Sequence, residues 1–153
     1  VELNVVDGVI LPNLKMQGTE EACAYLDEEG RCSIHPYRPG ICRLFPLGRY
    51  YENGGFSYFL QTGECAKENR SKIKVSKWID TPDLTRNQQF TLQWHDLLHA
   101  MEERLTGEDE GKQREENLLL LRLFYLLPYE GTIDFYTQFT ERMEHWNGQN
   151  GQI

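Results

Sequence analysis

The chain has 153 residues, of which 39% are hydrophobic, 12% aromatic and 26% charged, with a formal net charge of −8 at pH 7. That is about one domain of sequence, long enough to bury a core without disulfide staples and too apolar to stay disordered. The longest apolar run, LLLLRLFYLL at 118–127, contains Arg122 and falls short of the roughly 18 residues that a bilayer span needs.

NVVDGVILP at the start alternates apolar residues around Asp7-Gly8, which predicts a two-residue hairpin with Pro12 ending or edging its second strand. CAYL, the loop Asp27 to Gly30, and RCSI predict a second hairpin in which Leu26 faces Arg31 and Tyr25 faces Cys32. Cys23 then shares a face with Cys32, one diagonal step away, at roughly 7 Å or less between β-carbons. Prolines 36, 39 and 46 with Gly40 and Gly48 make 35–49 an irregular loop or a short broken helix. YYENGGFSYFLQ reads as a third hairpin turning at Glu52 to Gly55, and Cys65 closes this arm. KIKVSKW alternates lysines with Ile73 and Val75, the pattern of a lysine-protected edge strand.

Asp80 or Thr81 is the expected cap of a helix with Pro82 in its first turn. From there Phe90, Trp94, Leu97, Leu98, Met101 and Leu105 recur at helical spacing over about six turns. Residues 106–117 read as an acidic linker, partly helical at its end, and 115–127 as an apolar helix stopped by Pro128. Thr132 is the expected cap of a last helix whose Ile133, Tyr136, Phe139 and Met143 point inward. The expectation is therefore an α+β fold: a hairpin-rich, cysteine-bearing region 1–80 and about three helices over 81–147. The two regions are expected to form one compact unit, with 148–153 as a frayed tail.

Charge is unevenly spread. Residues 31–77 carry nine Lys/Arg against three Glu, a net of +6, which leaves −14 on the rest. Within them, RCSIHPYRPGICRLFPLGR at 31–49 holds two cysteines, four arginines and no acid. The four cysteines are spaced Cys23-x8-Cys32-x9-Cys42-x22-Cys65, which is neither the paired C-x2-C of a zinc ribbon nor a ferredoxin run. Disulfides, buried free thiols, and ligation of a metal or cluster all remain open on spacing. Four thiolates around Zn²⁺ or a cluster leave an anionic centre, and Arg31, Arg38, Arg43 and Arg49 would lower the cost of holding it.

CAYLDEEGRCSIHPYRPGICRLFPLG resembles the YkgJ-type cysteine-cluster family. The matching positions are Cys23, Tyr25-Leu26, Asp27 to Gly30, Cys32, Ile34, His35, Arg38-Pro39, Cys42, Arg43 and Phe45-Pro46, with the later Cys65. The match is dense over 23–46 and looser over 1–22 and 47–80; the helical tail lies outside the core motif. The resemblance implies a zinc- or iron-chelating domain. Relatives carry a further C-x2-C-x2-CC-like group upstream, and this chain has none. Since it also opens at Val1 without methionine, the expectation is either a piece of a longer protein that starts after that group or a chain from which the segment is lost or processed away, with the four cysteines then part of a ligand set.

Other constellations are weaker. His95-Asp96-Leu97-Leu98-His99 mimics H-E-x-x-H, but Asp is one methylene shorter than the Glu base and no third ligand is evident. His35 is the polar start of a loop rather than a ligand. The Lys67–Lys77 run with Trp78, Tyr50, Tyr51 and Phe56 could hold single-stranded nucleic acid, against which the net charge argues. Cys42 as a nucleophile lacks a placed base.

The reading is a cytoplasmic metal-binding protein with Cys23, Cys32, Cys42 and Cys65 as ligands. Arg38 and Arg43 stand beside them, and the bound group is zinc or an iron–sulfur cluster. Flagellin lysine methylases are similar in carrying this cluster type, which implies an alternative: S-adenosylmethionine-dependent methyl transfer to a protein lysine. A third reading is a zinc-stabilised module that binds a protein partner.

Overall fold

The computed structural model describes residues 1–19, 21–63 and 71–150. Among them are three two-stranded antiparallel sheets and five α-helices, an α+β molecule as expected. The chain divides into two compact units, one formed by Val1–Lys15 with Gln89–Ile153 and the other by Met16–Gln88. None of the described helices is long and apolar enough to cross a membrane.

In the first unit, β1 (Glu2–Val6) pairs with β2 (Val9–Asn13). Asp7 and Gly8 both take positive φ, 51° and 82°, the conformation that a tight hairpin turn demands. Helix α3 (Leu84–Leu105) starts later than expected. Asp83 is its cap, with Oδ1 accepting from Arg86 N at 3.0 Å. Pro82 biases Thr81 away from the helical region, which pushes the start beyond the proline. The predicted stripe holds: Leu97, Met101 and Leu105 are buried, with Phe90, Trp94 and Leu98 packed against them.

The acidic linker is shorter than the sequence suggests. Asp109 accepts from Gly111 N at 2.8 Å and Lys112 N at 3.2 Å, so α4 runs over Glu110–Leu121. Beyond it, Arg122–Leu126 widens into a π-helical turn, closed by Leu127 N donating to Arg122 O at 2.9 Å. Helix α5 (Phe135–Asn150) is capped by Asp134, not Thr132, through Thr137 N at 2.9 Å. Ile133 therefore precedes the helix and is exposed, while Phe139 and Trp146 enter the core. The helix also continues past 147 to Asn150; residues 151–153 lie outside the described residues.

Val9 joins this core, and the buried amide of Asn117 locks the β1–β2 turn onto α4. Its Oδ1 accepts from Ile10 N at 2.6 Å and its Nδ2 donates to Gly8 O at 3.0 Å. The buried guanidinium of Arg142 donates to the carbonyls of Leu123, Leu127 and Pro128 at 2.7–2.9 Å and lies 3.5 Å from the Tyr129 ring centroid. A buried cation is tolerable there because the end of a helix offers unpaired carbonyls.

The second unit carries the cysteine-bearing segment. β3 (Met16–Gln17) pairs with β4 (Ala22–Cys23), placing Met16 opposite Cys23. The second predicted hairpin is thus corrected: CAYL and RCSI meet only in an isolated bridge, and Leu26 stands opposite Cys32 rather than Arg31. The cause is Asp27, whose Oδ1 accepts from Glu29 N at 3.0 Å and Arg31 N at 2.8 Å, drawing Arg31 into the turn. A 3-10 turn at His35–Tyr37 and α1 (Gly40–Leu44) follow. β5 (Leu47–Glu52) and β6 (Gly55–Leu60) then form the predicted hairpin around Asn53-Gly54, with φ of 50° and 71°. Residues 75–79 form a short helix, α2 (Val75–Ile79), where the lysine alternation predicted an edge strand. Packing decides this: Ile79 is buried, and Trp78 Nε1 donates to Phe45 O at 3.0 Å.

Candidate metal centre

Three of the four cysteines lie among the described residues, each in a different local setting. Cys23 ends β4, Cys32 follows the Asp27 turn, and Cys42 sits inside α1. All three are free thiols and half-buried. Cys65 lies outside the described residues.

Burial pushes the Cys42 thiol above its ordinary range, and the negative charges of Cys23 and Cys32 push it further; the Arg38 guanidinium pulls it back. Among the described residues, no three His, Cys, Asp or Glu side chains form a group that could hold a metal ion.

The arginines do not act as one set. Arg38 acts on Cys42, and its Nε is buried with no hydrogen-bond partner among the described residues. Arg43 is held by carbonyls: Nη2 donates to Pro36 O and Nη1 to Asp80 O, both at 3.0 Å, with Asp80 Oδ2 3.8 Å away. Arg43 thereby ties the loop before α1 to the end of α2. Arg31 pairs with Glu29 at 3.2 Å in solvent. Arg49 lies over the Phe56 and Tyr58 rings, 5.4 and 5.9 Å from their centroids.

The donor set suits a thiophilic metal. Soft thiolates select zinc or iron–sulfur clusters over hard cations. A buried N–H with no other partner, such as Arg38 Nε, is a donor that a ligating sulfur can use as a second contact. His35 begins the 3-10 turn, its N donating to Cys32 O at 3.3 Å.

Sequence reasoning missed two positioning residues. Asp27 sets the register of Cys32, and a D-x-x-G turn after a strand was its signal. Trp78 holds the end of α1 through the Phe45 carbonyl; nothing local in the sequence marks that contact.

Comparison with known families bears on the cysteine-bearing segment. The model of the CxxCxxCC family, described as "Putative zinc- or iron-chelating domain", matches residues 9–93, and the chain belongs to this family. The matched span contains all four cysteines. No curated protein and no solved structure matches the chain.

Proposed function

We propose that the protein binds zinc or an iron–sulfur cluster through the thiolates of Cys23, Cys32, Cys42 and Cys65, with Arg38 as a neighbouring hydrogen-bond donor. The observation that carries this reading is that the charges of Cys23, Cys32 and Arg38 all act on the half-buried Cys42 thiol, although the three sulfurs among the described residues do not stand in a ready-made ligand group. Family membership over 9–93 supports it.

The chain's own residues divide the work. Asp27 fixes the turn that presents Cys32. Arg43 and Trp78 fix α1, and with it Cys42. Arg38 lowers the cost of collecting negative sulfur at one place. Binding would require each thiol to lose its proton, so the raised Cys42 thiol makes loading favour alkaline pH. When bound, zinc would brace these loops, whereas a cluster would supply one-electron redox chemistry. Free thiols also suit a reducing compartment, and we place the protein in the cytoplasm on that ground.

The test is metal and sulfide analysis of protein purified without oxygen. Zinc, or iron with acid-labile sulfide, bound in stoichiometric amount and lost in Cys42→Ser is the expected result. Equal metal content in wild type and in each single Cys→Ser variant would refute thiolate ligation.

A further inference from the structure

The β1–β2 hairpin leaves its two edges in opposite states. Its two-residue turn makes Val6 and Val9 a hydrogen-bonded pair, and alternation along the ladder then makes Val5–Ile10 and Leu3–Pro12 the non-bonded pairs. Two observations agree with that phase: Ile10 N donates to Asn117 Oδ1 rather than to β1, and Pro12 has no N–H to give. The outer edge of β2 is thus closed, by Asn117 from α4 and by a proline. On β1 the N–H and C=O groups of Leu3 and Val5 point away from β2, and among the described residues none bonds to them. Every residue of β1 is exposed, Leu3 at 59% and Val5 at 68%. Edge strands are ordinarily blunted by lysine, proline or a bulge. β1 reads ELNVV in unbroken register and carries none of them.

We propose that β1 pairs antiparallel with β1 of a second copy of this chain, joining the two hairpins into one sheet with a two-fold axis at Asn4. The outward groups fix the register. Leu3 pairs with Val5 of the second copy, and Val5 with its Leu3, each pair exchanging both N–H···O bonds. Asn4 then meets its own counterpart on the axis, in the closer, non-bonded kind of pair, where two carboxamides can each donate and accept. Glu2 falls opposite Val6, so the strand's only charge does not face itself. The strand is in this sense complementary to itself, and the contact is isologous and closes. The edges of the joined sheet are the two β2 strands, already covered by Asn117 and Pro12, so association stops at two. A five-residue edge is small beside a stable interface, and the dimer is expected to be weak and to dissociate on dilution.

The experiment is sedimentation velocity with amide hydrogen exchange on the full chain, over a concentration series up to about 1 mM, which populates even an association of millimolar Kd. Dimer is expected to grow with concentration. The Leu3 and Val5 amides should slow about twofold or more at the top of the series, while Asn4, already bonded to β2, does not change. Val5→Pro removes an outward N–H that the hairpin does not use, and Leu3→Lys blunts the edge without touching the backbone. Both should stay monomeric, with their urea midpoints reporting that they fold. A wild-type chain that is monomeric at every concentration, which would leave this edge to a foreign strand, overturns the proposal. So does a dimer that survives in folded Leu3→Lys and Val5→Pro, or one whose added protection falls outside β1.

Discussion

The guanidinium of Arg38 favours the thiolate of Cys42, against burial and against the negative charges of Cys23 and Cys32. Removing the cation should therefore raise the Cys42 thiol further, and removing either neighbouring thiol should lower it. The pH dependence of Cys42 alkylation in metal-free protein, read by mass spectrometry, checks both signs. Its midpoint is expected to move up in Arg38→Ala and down in Cys23→Ser and Cys32→Ser.

The same displacement fixes how stability depends on pH. A thiol raised by folding is bound to its proton more tightly in the native state than in the unfolded chain. Metal-free protein should lose stability as pH climbs from the ordinary thiol range through the raised native value. Below that range the contribution is fully present. Urea midpoints measured from neutral to alkaline pH should fall, and they should fall less in Cys42→Ser.

Gly48 on β5 lies directly beneath the ring of Phe59, its cross-strand partner. A β-carbon at 48 would stand 2.3 Å from the Phe59 ring, so the alanine substitution must displace an aromatic side chain. Gly48→Ala should cost about 1–3 kcal/mol in urea unfolding. Combined with Phe59→Ala, it should cost less than the sum of the two single changes, because the clash is then gone.

Asn117 and the β1–β2 turn offer a second stability test, in the unit without cysteines. Asn117→Ala strands Ile10 N and Gly8 O, which its amide satisfies. The expected loss is about 1–3 kcal/mol, with early hydrogen exchange at Ile10. An unchanged urea midpoint would show that the turn is held by Val9 packing alone.

How much of this was legible in the sequence follows from how local each cause is. Asp7-Gly8 and Asn53-Gly54 announce their hairpins because positive φ at two adjacent positions is a local demand that few residue pairs meet. The α3 stripe is equally local, a matter of period. Helix starts were misplaced because several Asp and Thr residues stand near each one, and the choice of Asp83 or Asp134 depends on the neighbouring backbone. The segment 75–79 became a helix for tertiary reasons: Ile79 is buried and Trp78 reaches the Phe45 carbonyl. For the candidate site, the sequence names the cysteines with Arg38 and Arg43, but not what holds Arg43: its partners are the backbone carbonyls of Pro36 and Asp80, and carbonyls leave no mark in a sequence.

The central claim is that sulfur from this segment coordinates the metal. X-ray absorption at the zinc or iron edge of the natively loaded full-length protein tests it most directly. The account predicts a first shell dominated by sulfur at about 2.3 Å, diminished in Cys42→Ser. A first shell made of nitrogen and oxygen alone would contradict it.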